Sequence, residues 1–155
     1  LAAGGKLYYV ATMIPSDEED RLRIARHRED RAGLGFETLE QGRDILRCLD
    51  DADTDGAFLV DSVTALLSNE MFAPDGIHHE AHIKVADDLA EFLRRAPNTV
   101  LVSDFIFSDA AIYDDLTEAY RAGLAHVGRR MAALCDNVVE AWAGQYTIHK
   151  GGLPL

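Results

Sequence analysis

Four short apolar runs punctuate the chain: Leu7 to Ala11, Ala57 to Val60, Thr99 to Val102 and Val138 to Ala143. Each has the length and β-rich content of a strand and is bounded by polar or turn-forming residues. Their near-continuous apolar character, with no alternating polar face, predicts strands covered on both sides.

Between these runs the apolar period becomes helical. Ser16, with Pro15 before it and Glu19 three residues on, has the form of a capping box, and its helix should run to about Arg31, where Gly33 and Gly35 end it. A second pattern carries Ile45, Leu46 and Leu49; a third carries Val63, Leu66, Leu67 and Met71. The fourth runs from about His79 to Arg95, with Ile83, Ala86, Leu89, Ala90 and Leu93 as its expected apolar face and Pro97 beyond its end. The longest starts near Asp114 and repeats Leu116, Tyr120, Leu124, Val127, Met131 and Leu134. Strand alternating with helix implies an α/β fold, a parallel sheet flanked by helices. Such sheets bind ligands at the carboxyl ends of their strands. Those ends hold Thr12-Met13, Asp61-Ser62 and Ser103-Asp104.

No repeat, low-complexity tract or linker interrupts the 155 residues, so one domain over residues 1–155 is expected. Leu1-Ala-Ala-Gly-Gly5 reads as the last turn of a helix and its C-cap, which places an element upstream of residue 1. No apolar run approaches the roughly 20 residues of a membrane span, and no secretory signal pattern is present. Cys48 and Cys135 have no metal-like spacing and read as reduced core thiols of a cytoplasmic protein. The net charge of −12 argues against a nucleic-acid binder, which would need a broad basic face.

Against that acidic background, Arg21 to Arg31 gathers five of the fifteen basic residues around His27. On a helix, Arg23, Ile24, Asp30 and Arg31 lie one turn from His27. Two flanking guanidiniums would disfavour the imidazolium and hold a phosphate in line with a free lone pair, while Asp30 could fix the tautomer. That combination suits nucleophilic attack on phosphorus. The alternative is a solvated helix face of alternating arginine and carboxylate. Asp61 and Asp104, after apolar runs, have the placement of carboxylates that reach Mg²⁺ in phosphate-transfer folds, although acids there also cap the next helix. His78, His79 and His82 lack a third ligand and follow a Pro-Asp-Gly turn, so they read as a solvated helix start. Trp142 reads as core. No Gly-x-x-x-x-Gly-Lys-Ser/Thr phosphate loop occurs in the sequence; Gly4-Gly5-Lys6 lacks its spacing.

Several segments in order resemble one family. Leu7-Tyr-Tyr-Val-Ala-Thr12, Arg23-Ile-Ala-Arg-His27-Arg28, Phe36-Glu-Thr-Leu-Glu40, Phe58-Leu-Val-Asp61-Ser-Val-Thr64 and Leu66-Leu-Ser-Asn69-Glu-Met-Phe72 carry the likeness. So do Phe107-Ser-Asp109 with Tyr113, and Ala132 to Glu140. Together they resemble the bifunctional adenosylcobinamide kinase / adenosylcobinamide-phosphate guanylyltransferase family of cobalamin biosynthesis. The resemblance implies a P-loop NTPase-like sheet whose phosphate-loop segment would precede Leu1. It implies two reactions: phosphorylation of adenosylcobinamide by ATP or GTP, then transfer of GMP from GTP through a guanylylated histidine. The motif histidine falls on His27. Nucleotide-binding segments fall on Ala11, Thr12 and Met13, on Arg28, Glu29, Asp30 and Arg31, and on Glu40 and Asp61, with Asp61 as a Mg²⁺ ligand. A homotrimer is also implied. Where the family usually has Asn-Glu after its Val-Leu-Val strand, this chain has Asp104-Phe105, which admits a second expectation: a catalytically impaired relative that binds nucleotide or corrinoid without turnover.

Overall fold

A computed structural model describes residues 5–108 and 111–152, apart from the side chain of Asp30. The predicted element at residues 1–4 and the Asp109 of the family likeness lie outside the described residues. The centre is a four-stranded parallel sheet built from β1 (Leu7–Ala11), β2 (Phe36–Glu40), β3 (Ala57–Asp61) and β6 (Thr99–Val102), in the order β2-β1-β3-β6. Helix α1 (Glu18–Arg31) connects β1 to β2, and α2 (Val63–Met71) and α3 (Ala81–Arg95) lie between β3 and β6. A two-residue hairpin, β4 (Phe72–Ala73) with β5 (Gly76–Ile77), turns through the expected Pro74-Asp75. After β6 come α4 (Asp115–Leu134) and an antiparallel hairpin of β7 (Val138–Trp142) and β8 (Gln145–Lys150). The α/β fold is the one expected, a parallel sheet flanked by helices and consistent with a P-loop-like domain.

The pleat divides the sheet into two unlike faces. Tyr8, Val10, Phe58 and Val60 point to one side and are fully buried with Val63, Leu66, Leu67, Val85, Ala86, Leu89, Phe92, Leu124 and Val127. Tyr8 stacks on Phe58 at 4.7 Å, and Phe92 meets Phe58 edge-on at 5.5 Å. This is the hydrophobic core. Tyr9, Ala11 and Asp61 belong to the opposite face, over which α1 lies.

Several expectations are corrected. The helix over Ile45, Leu46 and Leu49 is a single 3-10 segment, Ile45–Leu49, because Asp44 sits in the left-handed region (φ 48°) and only five residues follow in helical geometry. The first helix is capped one residue later than expected. Asp17 accepts the Asp20 N–H at 2.9 Å, and the Asp20 carboxylate accepts both N–H and Oγ–H of Ser16. Helix α3 buries Ala81, Val85, Ala86, Leu89 and Phe92, whereas Ile83 is 45 % exposed: the helix is apolar over more than one stripe, and Phe92 selects the buried one. The last apolar run is not a covered strand of the parallel sheet. Ala143 and Gly144 (φ 48° and 77°) turn it into a hairpin, and Trp142, expected in the core, is 77 % exposed. Nor is β6 covered on both faces, since Val100 is 54 % exposed. Strand β2, unexpected from its polar composition, forms the other edge of the sheet.

Candidate active site

Register determines which side chains meet. Ala11 pairs with Glu40 on one side and with Asp61 on the other, so the last residues of β2, β1 and β3 form one row. Neighbouring strands lie about 4.8 Å apart, which puts two carboxylates on either side of a small residue. Helix α1 returns over this row. Between helix and sheet lies a cavity of about 580 Å³, lined by His27, Arg23, Arg28 and Arg31 from the helix, by Tyr9, Ala11, Glu40, Asp61, Ser62 and Asp104 from the strand ends, and by Met13 from the connecting loop.

The floor is braced from below. Thr12 is buried; its hydroxyl donates to Ser62 O at 2.8 Å and accepts the Ser62 N–H at 2.7 Å. Asn69 donates to Thr12 O (2.7 Å) and to Gly42 O (2.9 Å), clipping the loop after β1 to the loop after β2. A Cβ at Gly42 would lie 2.4 Å from the Ile14 side chain and 3.2 Å from Thr12 O, which measures how closely these loops approach. Thr12 is therefore committed to the scaffold and does not line the cavity, unlike Ala11 and Met13.

Asp61 is free of the capping duty that acids often perform after a strand. Ser62 caps α2 instead, accepting Ala65 N–H at 3.2 Å. Asp61 Oδ2 accepts a hydrogen bond from the Tyr9 hydroxyl. Burial first, and then that bond to Asp61, push the Tyr9 hydroxyl pKa above its ordinary range. Arg28 pairs with Glu40 across the cavity mouth. The Arg31 guanidinium lies 3.5 Å from the Tyr9 ring centre, and its buried Nε has no hydrogen-bond partner among the described residues. Arg23 is held by Glu19 and Asp20 on its own helix.

Of the residues expected from sequence, His27, Arg28, Arg31, Glu40, Asp61, Ala11 and Met13 come together around one cavity. Glu29 does not line it, and the Asp30 side chain lies outside the described set, so its contact with His27 stays an expectation. Asp104 joins the lining, and its N–H donates to Thr64 Oγ1 at 2.8 Å. Tyr9 went unread in the sequence as a site residue: a tyrosine inside an apolar run gives no local sign of what lies across the strands. His78 and His79, after the Pro-Asp-Gly turn, line a separate cavity with Arg43, Glu70 and Lys84, and His82 does not. His78 pairs there with Asp75 at 3.1 Å, and no group of three or more metal-ligating side chains occurs among the described residues.

What the arrangement can do follows from its charges. Guanidiniums from one helix face carboxylates from the strand ends across a space large enough for a nucleotide's phosphates, with an exposed imidazole on the wall. Asp61 and Asp104, at the ends of adjacent strands, are the donors available to a hard cation, which typically takes one or two carboxylates and completes its shell with water and phosphate. No individual curated protein matches the chain. The family model described as cobinamide kinase / cobinamide phosphate guanyltransferase matches residues 1–148, nearly the whole length, and the chain belongs to that family.

Proposed function

We propose that the protein, acting as a single nucleotide-binding domain, phosphorylates adenosylcobinamide with ATP or GTP and then transfers GMP from GTP to adenosylcobinamide phosphate, with His27 as the GMP acceptor. The observation that carries the reading is convergence: His27, Arg28, Arg31, Glu40 and Asp61 line one cavity at the carboxyl end of the sheet. In the first half of the transfer a ring nitrogen of His27 attacks the α-phosphorus of GTP; a nitrogen–phosphorus bond forms and the bond to pyrophosphate breaks. In the second half a phosphate oxygen of adenosylcobinamide phosphate attacks the same phosphorus and His27 leaves. Arg28 and Arg31 neutralise the charge that builds on the phosphoryl oxygens. Phosphate competes with Glu40 for Arg28, so the ion pair holds the guanidinium in place until nucleotide arrives. Mg²⁺, held through Asp61, would neutralise phosphate charge.

The test uses GTP labelled at the α-phosphorus. Covalent label that is acid-labile and base-stable is expected on the wild type and absent from His27→Ala. Absence of label on the wild type, or its persistence in the variant, removes His27 from the reading. The second reading, a relative that binds without turnover, draws on Phe105, an exposed ring packed edge-on against Phe107 at 5.5 Å where the family resemblance puts a carboxylate. Calorimetry showing nucleotide binding with neither label nor product favours it. The homotrimer belongs to the same proposal and is checked by light scattering.

A further inference from the structure

One residue, Tyr9, stands between two functional groups of the cavity, Asp61 and Arg31, in a position that packing alone does not explain. We propose that Tyr9 is a positioning residue for nucleotidyl transfer, its hydroxyl holding Asp61 and its ring carrying Arg31, so that the carboxylate and the guanidinium stay apart. The inference rests on the proposed function of this cavity and deepens it.

The geometry runs along the pleat. Tyr9 stands two residues before Ala11 on β1, on the same face, and pairs in register with Thr38 and Leu59. Asp61, two residues beyond Leu59, is therefore a diagonal cross-strand neighbour within reach of a long side chain. The Tyr9 hydroxyl takes Asp61 Oδ2 and leaves the second carboxylate oxygen uncommitted among the described residues. Phe36 meets the Tyr9 ring edge-on at 6.2 Å from the neighbouring strand, which fixes the ring plane, and the residue is only 7 % exposed. On that fixed plane lies the Arg31 guanidinium, 3.5 Å from the ring centre.

Arg31 and Asp61 line the same cavity yet form no ion pair among the described residues. A direct pair would turn the guanidinium forks toward the carboxylate and occupy both groups. Stacking on an aromatic face instead satisfies the flat side of the guanidinium and leaves its edge N–H groups for phosphate.

Two variants separate the two halves of this role. Tyr9→Phe keeps the ring and removes one oxygen; Tyr9→Leu removes both. GTP binding by calorimetry and labelling from α-labelled GTP are measured for each over a Mg²⁺ series, beside wild type and His27→Ala. Tyr9→Phe is expected to bind GTP within about twofold of wild type, to label roughly tenfold more slowly, and to need more Mg²⁺ for half-maximal rate. Tyr9→Leu is expected also to lose on the order of tenfold in GTP affinity, so the conservative variant restores binding and not rate. Wild-type rate and Mg²⁺ dependence in Tyr9→Phe, or equal loss of affinity in both variants, overturns the proposal. If the wild type binds GTP but takes no label, the transfer reading fails by itself, and equal GTP affinities for Tyr9→Phe and Tyr9→Leu then overturn the placement of Arg31. If it binds no GTP, both readings fall. Tyr9→Phe deletes a single atom, so the rate arm does not depend on Tyr9→Leu folding.

Discussion

The two faces of the sheet are built on opposite principles. On one, Tyr8, Val10, Phe58 and Val60 disappear beneath side chains of α2, α3 and α4, with no charged residue buried among the described residues. On the other, α1 has no buried side chain among those described, carries five arginines, and meets the sheet through Arg28 with Glu40 and Arg31 over Tyr9. Burial at about 25 cal/mol per Å² makes the first face the source of stability. The second is held by exposed ion pairs worth little each, which leaves its cations open to exchange partners with a ligand. Substitutions should therefore sort by face: large stability losses without specific chemistry on one, chemistry lost at near-constant stability on the other.

The largest expected effect is on the packed face. Phe92→Ala, beneath Phe58, should cost about 3–5 kcal/mol in urea unfolding. A loss under 1 kcal/mol would break the contrast. Next is Lys84, which reaches Glu70 (2.6 Å), Asp88 (2.9 Å) and Asp44 (3.1 Å). Burial pulls the Lys84 pKa down, but the three carboxylates outweigh it and raise it, while Lys84 holds Asp44 below its ordinary range. Lys84→Met leaves three carboxylates facing one another and, with solvent screening of the half-exposed Lys84 and Asp44, should cost about 1–2 kcal/mol. The Asp44 contribution is present above its unfolded value and lost as pH falls through the lowered one, so wild type and variant should converge in acid. Asp17→Ala removes the α1 cap and should cost about 1 kcal/mol, read as lost helicity and a lower urea midpoint.

A pH titration sharpens the same contrast. Burial pushes the Cys48 thiol from 9.0 up to about 12. Its contribution to stability is complete below the unfolded value and is lost as pH rises through the folded one, so the urea midpoint should fall between those two values. Thiol alkylation near pH 8 should spare Cys48 and modify the half-buried Cys135. Modification of Cys48 first would contradict its place in the core.

The chain's local patterns made the central sheet legible, together with the rule that chemistry gathers at its carboxyl ends. Asp61, Met13 and Asp104 were found that way, because a parallel strand declares itself by a continuous apolar run and its end follows. Where two partners sit on different elements, sequence spacing was silent. The pairing of Tyr9 with Asp61 depends on strand register, and that of Arg28 with Glu40 on where α1 settles over the sheet, neither of which local spacing encodes. Strand β2 was hidden because Phe36-Glu-Thr-Leu-Glu40 is half polar, as an edge strand beside an open cavity allows. The last apolar run misled in the other direction: Val138 to Trp142 has the composition of a buried strand, yet Ala143-Gly144 folds it against β8.

Whether α1 supplies chemistry and little stability can be read at one residue, His27. Wild type and His27→Ala should be unfolded in urea and incubated in parallel with α-labelled GTP, the label being mapped by peptide mass. Their unfolding free energies should lie within about 0.5 kcal/mol of each other, with GMP on the wild-type peptide containing His27 and none on the variant. GMP on another residue, or a variant that loses several kcal/mol, would contradict it.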